Sequence, residues 1–476
     1  MKRAGGIFSI ILWSFGLCPA AFAGPPSPSY PRPAYQTLAY DEDWSVLGHD
    51  DPDRPDDFFD PIKYIKLNDS GSIWLSFGGQ VRWRLEGWND FNFGAPPSAV
   101  DSDVFVLNRL LYHVDLHLGE HVRGFLQGKS AFCMDRDLIG GCRTLDVDEL
   151  ALQNGFIDVM LPLPGDTEVT VRTGRQELLF GKQRLVSPLD WANIRRTFDG
   201  VAAIFRKDKW KVTGFLTRPV QVRKYDYNNN FHNREFYGVY ASGKVPTTDI
   251  GLDLYWLALQ RKKAAFNGTT GREDRHTLGG RIWGKFGDSS FDYDLEGAYQ
   301  FGEIGSASID AFMIATEIGY LFKEASWKPR VFVAYDYASG DSNSGGSVQT
   351  FNQLFPLGHA YFGYIDTVAR QNISSPKAGV IFKPFDKTLV KLEGMYFWRA
   401  DRDDALYNAG GGVVRPGFPG SSHNVGAEID LTLKYKFDRH LVAVGGYSHF
   451  FTDNFIKQTG PRNAVDFLYL TLQYTF

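Results

Sequence analysis

The sequence predicts an all-β fold: a single transmembrane, antiparallel, up-and-down barrel of about eighteen strands, of the bacterial outer-membrane type. Three observations predict it. Aromatic residues make up 15% of the chain and glycine supplies 50 of 476 residues, the profile of a large exported barrel. No stretch beyond the N-terminus reaches the roughly 18 uninterrupted apolar residues of a spanning helix. From Ser72 onward apolar and polar residues alternate with period two, in segments joined by short and long connections in turn.

The chain opens as an exported one. Lys2 and Arg3 precede an apolar run from Ile7 to Leu17, and Ala21-Phe22-Ala23 is a small-x-small cleavage site before Gly24. Residues 1–23 therefore read as a signal peptide, too short to cross about 30 Å of hydrocarbon as a helix. Cys18 follows Phe15-Gly16-Leu17, a poor lipid-attachment signal, and cleavage after Ala23 removes it. Residues 24–70 are rich in Pro and Asp and show no sustained alternation. They read as a periplasmic extension, either a solvated acidic tail or a plug or partner-docking segment. Its acids include Asp41, Glu42, Asp43, Asp50, Asp51, Asp53, Asp56, Asp57 and Asp60. Residues 71–476 read as the barrel.

In the first strand Leu75, Phe77, Gly79, Val81, Trp83 and Leu85 share one face, while Ser76, Gln80, Arg82, Arg84 and Glu86 share the other. A strand apolar on one side and charged on the other suits a wall between lipid and water. The same reading places strands at about 72–91, 103–118, 121–132, 148–161, 167–176, 196–206, 210–218, 235–246 and 249–261. It continues at 274–287, 290–302, 310–322, 327–337, 375–384, 388–399, 424–437, 439–452 and 464–476. Connections such as Gly119-Glu120 and Lys207 to Lys209 are short; 133–147, 177–195, 219–234, 338–374 and 400–423 are long. Short periplasmic turns and long external loops are what such a barrel requires, and an even strand number puts both termini in the periplasm. Leu468, Leu470, Leu472, Tyr474 and Phe476 alternate up to the terminal aromatic residue, similar to the signal by which the barrel-assembly machinery recognises outer-membrane proteins. Barrels of 16–18 strands enclose an aqueous lumen, so a channel in outer-membrane lipid is expected.

Cys133 and Cys142 remain after export. In an oxidising compartment a disulfide closing this short loop is expected, with two free thiols as the alternative. No His or further Cys stands near them in sequence, so no metal site is expected. His113 and His117 fall on one strand face about 13 Å apart, too far for one ion. No G-x-S-x-G elbow or phosphate loop appears, so neither catalysis nor a cofactor is expected. The net charge of −4 gives no sign of a nucleic-acid partner.

The least ordinary stretch is RTGRQELLFGKQRLVSPLDWANIRRTFDG, residues 172–200. Its Gly174-Arg175-Gln176, Gly181, Gln183-Arg184-Leu185, Asn193, Arg196 and Phe198-Asp199-Gly200 resemble the alginate-export family. Glu42-Asp43-Trp44 and Lys63-Tyr64-Ile65 near the start match it too, as do Asp453-Asn454-Phe455-Ile456 and Thr459-Gly460 near the end. The resemblance runs over nearly the whole mature chain. It implies an outer-membrane porin that secretes an anionic polysaccharide such as alginate, with periplasmic export partners.

The residues fit an anionic polymer. Each uronate unit carries a carboxylate, which the planar fork of Arg matches and which stays paired with a permanent charge. Arg82, Arg84, Arg109, Arg123, Arg172, Arg175, Arg184, Arg195, Arg281, Arg330 and Arg399 are the expected lumen-lining bases. Lys434 and Lys436 also fall on the inward face, and bases only slightly outnumber acids there. The alternative is that these charges pair among themselves and brace a loop folded into the barrel. Two further functions stay open: an uptake porin for small anionic or sugar-acid nutrients, and an adhesin or structural barrel with a blocked lumen.

Overall fold

The computed structural model describes residues 32–49, 54–94, 99–343 and 345–476. The expected signal peptide, with Cys18 and its cleavage site, lies outside them, as do Asp50, Asp51 and Asp53. Eighteen antiparallel strands close into one barrel. They are β1 (Ile73–Asn89), β2 (Asp103–Leu118), β3 (Val122–Met134), β4 (Asp148–Leu163), β5 (Thr167–Gln176) and β6 (Phe198–Lys207). Then come β7 (Trp210–Gln221), β8 (Arg234–Lys244), β9 (Gly251–Phe266), β10 (Thr269–Lys285), β11 (Phe291–Ile304) and β12 (Ala307–Leu321). The last six are β13 (Arg330–Ala338), β14 (Ile373–Phe382), β15 (Thr388–Trp398), β16 (Asn424–Lys436), β17 (Leu441–Thr452) and β18 (Val465–Thr475). Each pairs with its sequence neighbour, and β1 pairs with β18 from Gln80↔Thr475 to Asn89↔Asp466, so no edge is left free.

Two connections depart from the sequence reading. Residues 262–273 and 303–309 are not loops at the long-loop end. Strands β9 to β12 continue through them to the two-residue turns 267–268 and 305–306. Asn267 (φ 37°) and Gly268 (φ 85°) take the left-handed conformations that a tight hairpin demands. The alternation is masked by the charged run Arg261-Lys262-Lys263, where the register shifts between Arg261 and Ala264.

Leu126, Ile157, Leu216, Leu254, Leu278, Val333, Leu433 and Leu470 point outward and are exposed. Exposed aromatics ring both ends of this apolar band. Phe205, Phe286, Phe291, Trp327, Tyr435 and Phe437 lie at the short-turn end, and Trp256, Tyr299, Phe301, Phe312, Tyr335 and Phe451 at the other. Two girdles about an apolar belt fit a membrane crossed by strands. No helix among the described residues is long and apolar enough to cross one.

The core lies inside the barrel. Loops 177–197 and 339–372 fold into the lumen, and their Leu178, Leu185, Val186, Phe351, Phe355 and Phe362 pack against inward Phe198, Phe215, Phe236, Phe397 and Phe450. At the short-turn end residues 32–49 and 54–66 form a strap that enters the mouth. Tyr40 seats between Phe125 and Phe156 at ring distances of 5.6 and 5.1 Å, and Ile65–Lys66 pairs with the start of β1. Cys133, near the end of β3, and Cys142 form a disulfide with Cα atoms 6.0 Å apart.

Candidate functional site

Loop 177–197 crosses the barrel interior and is bonded to β1 and β2 at a level called the waist. Pro188 and Leu189 reverse the chain, with Leu189 at φ 57°. This turn presents the carbonyls of 190–192 to the wall. Arg82 donates to Asp190 O (2.7 Å), Ala192 O (2.8 Å) and Asn193 Oδ1 (3.4 Å). Arg84 pairs with Glu86 at 2.8 Å, with its guanidinium 4.3 Å from the Trp191 ring centre. Arg109 donates to Gln80 and to the Asp190 carboxylate at 2.8 Å, which Arg195 also reaches at 3.0 Å while its Nε pairs with Glu177 at 2.6 Å. All four guanidiniums are buried. Three carboxylates, those of Glu86, Glu177 and Asp190, answer them, and Arg82 is bonded only to neutral oxygens. Within this cluster the guanidiniums therefore outnumber the carboxylates they bond, and the guanidiniums are buried, where fields are more weakly screened than in water.

A cavity opens on each side of this waist. Toward the short-turn end a cavity of about 840 Å³ is walled by Gln80, Lys434, Lys436 and Gln473, capped by Asp190 and Arg195, and floored by the strap. Toward the long-loop end a cavity of about 310 Å³ lies beside Arg234, Arg261, Asn352 and Gln353. The strap is held by charge as well as by Tyr40. Arg195 donates to Thr37 O at 2.7 Å, and the Asp57 carboxylate accepts from His440 at 2.9 Å and faces Arg439 at 3.3 Å. Burial alone would raise Asp57, but hydrogen bonds from Phe59 N and His440 and the charges of His440 and Arg439 prevail and hold it below the usual carboxylate range. Lys63 is 1% exposed, its Nζ 4.7 Å from the Trp44 ring centre. Burial lowers it to about 8, an effect that the charge of Glu42 partly offsets.

The sequence profile describing alginate export matches residues 73–469, from the first strand into the last. The chain belongs to the alginate export family. No curated protein matches it. Among solved structures, OpdO of Pseudomonas aeruginosa superposes with a TM-score of 0.56 at 13% identity, over 84% of this chain and 97% of its own. OccAB1 of Acinetobacter baumannii gives 0.55 at 12%, over 84% and 96%. OpdK of Pseudomonas aeruginosa, solved with vanillate, gives 0.54 at 8%, over 84% and 98%. At these identities the likeness is one of fold. With the family, it makes this alginate-export barrel an outer-membrane channel.

The family motif is the machinery that folds the loop inward. Gly181 sits at φ 52°, and a Cβ there would lie 2.4 Å from the Tyr240 hydroxyl. Asn193 donates to Asn108 O, Phe132 O and Asp146 O at 2.8–3.2 Å. Arg196 donates to Ser187 O and Phe355 O, stitching the two inward loops together. Arg184 bonds Asp294 (2.7 Å) and Glu296 (2.9 Å) on the far wall. The two N-terminal motif pieces meet where Lys63 covers Trp44. Phe455 and Ile456 are fully buried, with Phe455 beneath Arg399 at 3.6 Å.

Of the expected lumen bases, the structure gathers Arg82, Arg84, Arg109 and Arg195 at the waist. Arg123 is paired with Asp115, Arg172 with Asp158, Arg281 with Asp253 and Asp294, and Arg330 with Asp292 and Glu317. Arg175 does not face the lumen. Register puts it on the face of Val171 and Thr173, where it forks onto Asp199 at 2.7 and 3.0 Å. Arg399 is not open to the lumen either: its loop encloses it through Arg402 O, Asp404 O, Ser421 Oγ and Ser422 O. Arg370, which pairs with Asp336 on the wall, escaped sequence reading because loop 339–372 has no period to mark its inward residues.

Proposed function

We propose that this channel passes an acidic saccharide, a polyuronate of the alginate type, outward through the membrane, with the sugar carboxylate as the recognised group. The observation that carries the reading is the waist cluster, where four guanidiniums face three carboxylates and Arg82 has only neutral partners. Such a ring favours anions while each contact stays shared with the loop, so no single site binds a passing charge too tightly to release it. In planar bilayers under a salt gradient, the wild-type barrel should show anion preference that Arg82→Gln lowers. A mannuronate tetramer should block the current where maltotetraose does not. Cation preference in the wild type, or equal block by the two sugars, would sink the reading.

A second reading, uptake of small sugar acids, draws on the two loops that occupy the waist. A neighbour in fold, OpdK, was solved with the small carboxylate vanillate. Flux into proteoliposomes separates the two: entry of glucuronate with exclusion of the tetramer favours the second.

A further inference from the structure

Inward lysines on β16 stand apart from the arginines. Lys434 and Lys436 are two residues apart on one strand, hence on one face about 7 Å from each other. Both are exposed, and among the described residues neither ammonium has a hydrogen bond or ion pair. The arginines and histidine lining the same cavity are taken: Arg195 by Glu177 and Asp190, Arg439 and His440 by Asp57, Arg32 by Asp60. Two of the three acids there, Asp57 and Asp190, are likewise occupied, and Asp56 is the third. The volume of about 840 Å³ falls in the range of small-molecule sites, roughly 300–1,000 Å³. Neutral hydrogen-bonding groups, among them Gln36, Gln80, Gln473 and Thr475, also line it.

We propose that this periplasmic cavity is a binding site for a short run of acidic sugar units, with Lys434 and Lys436 taking carboxylates on neighbouring units and the glutamines taking hydroxyls. The proposal rests on the anionic-saccharide reading above and locates its entry point. Geometry gives it a direction. Asp190 and Arg195 belong both to the cavity and to the waist, so a chain seated on the lysines extends through the cavity toward the waist. Free ammoniums suit capture, because a bound carboxylate displaces water and not an existing salt bridge.

The test uses the full-length refolded barrel in detergent, with a mannuronate tetramer as probe and maltotetraose as neutral control, read by calorimetry. The wild type should bind the tetramer and not maltotetraose, and affinity should fall with added salt because the lysines are exposed. Lys434→Gln with Lys436→Gln should weaken binding at least tenfold. Lys211→Gln, at an exposed inward lysine on β7, should not. Unchanged affinity in the double variant, or an equal loss in Lys211→Gln, overturns the site. The same preparations, placed in bilayers, separate the two failures. If the tetramer still blocks a variant that binds it normally, only this site falls. A tetramer that neither binds nor blocks the wild type removes the substrate reading and the site together.

Discussion

Arg172 donates from Nε and Nη2 to the two oxygens of Asp158 at 2.8 and 2.7 Å, with its guanidinium 3.8 Å from Phe156 and 4.3 Å from Tyr40. Alternation puts this side chain on the lumen face, and the register agrees, but the charge that would attract a substrate is already answered. Arg82 differs in one respect, the absence of a carboxylate partner, and that respect decides which arginine contributes to the field. Arg172→Gln would leave the Asp158 carboxylate 2% exposed without a counter-charge, a loss of about 3–5 kcal/mol for a broken buried pair. It would also remove the platform beneath Tyr40. The expected result in bilayers is a larger conductance, as the strap loosens, with anion preference unchanged. Adding Asp158→Asn should restore much of the lost stability, measured by the temperature at which the folded barrel's gel mobility is lost. A shift in selectivity as large as that of Arg82→Gln would place Arg172 in the path after all.

The strap and the inward loops are the elements that fill the lumen, and they titrate. Lys63 faces Glu42, Arg439, Asp57 and His113. Its docked value of about 8 lies below the ordinary 10.5, so the docked strap binds fewer protons than the free one between those values. Docking therefore strengthens as pH rises from about 8 to about 10.5, and below 8 it carries the full cost of burying the charge. Asp57 acts in the opposite sense. Its lowered value gives stability that is present above about pH 4 and lost as pH falls through the docked value. Conductance should fall from neutral toward pH 10 and rise in acid; Lys63→Met should abolish the alkaline fall and leave the acid rise. Removal of residues 32–66 should raise conductance at every pH. These elements also mark where sequence reading stops. β1 was legible because its two faces meet different solvents and its residues say so. Loop 177–197 was legible only as a charged motif, because the burial of Leu185 and Val186 is set by Phe355, which lies far away in sequence. The hairpin at Asn267-Gly268 carried its turn signal in plain view, but charges on both arms broke the alternation that would have led to it.

A barrel of this size is stable as a whole because its last strand closes on its first. β1 and β18 pair over Gln80–Asn89, and beyond the end of β18 Phe476 exchanges backbone hydrogen bonds with Gly79: Gly79 N donates to Phe476 O at 2.8 Å and Phe476 N to Gly79 O at 2.9 Å. The terminal ring stacks on Phe59 of the strap at 5.2 Å, and a Cβ on Gly79 would lie 2.7 Å from it. One residue thus joins closure of the wall to seating of the strap. Deleting Phe476 should act on closure more than on the finished barrel, since the strand pairs from Gln80 onward remain. The expected outcome is less heat-modifiable barrel in outer-membrane fractions, while the fraction that does assemble keeps the wild-type anion preference. Phe476→Ala keeps the backbone bonds and removes only the ring. If the ring is what assembly reads, this variant should fail as badly as the deletion; if closure by the backbone is what counts, it should assemble normally with a looser strap and a larger conductance. Normal yields of the deletion variant would show that the end of β18 carries neither role.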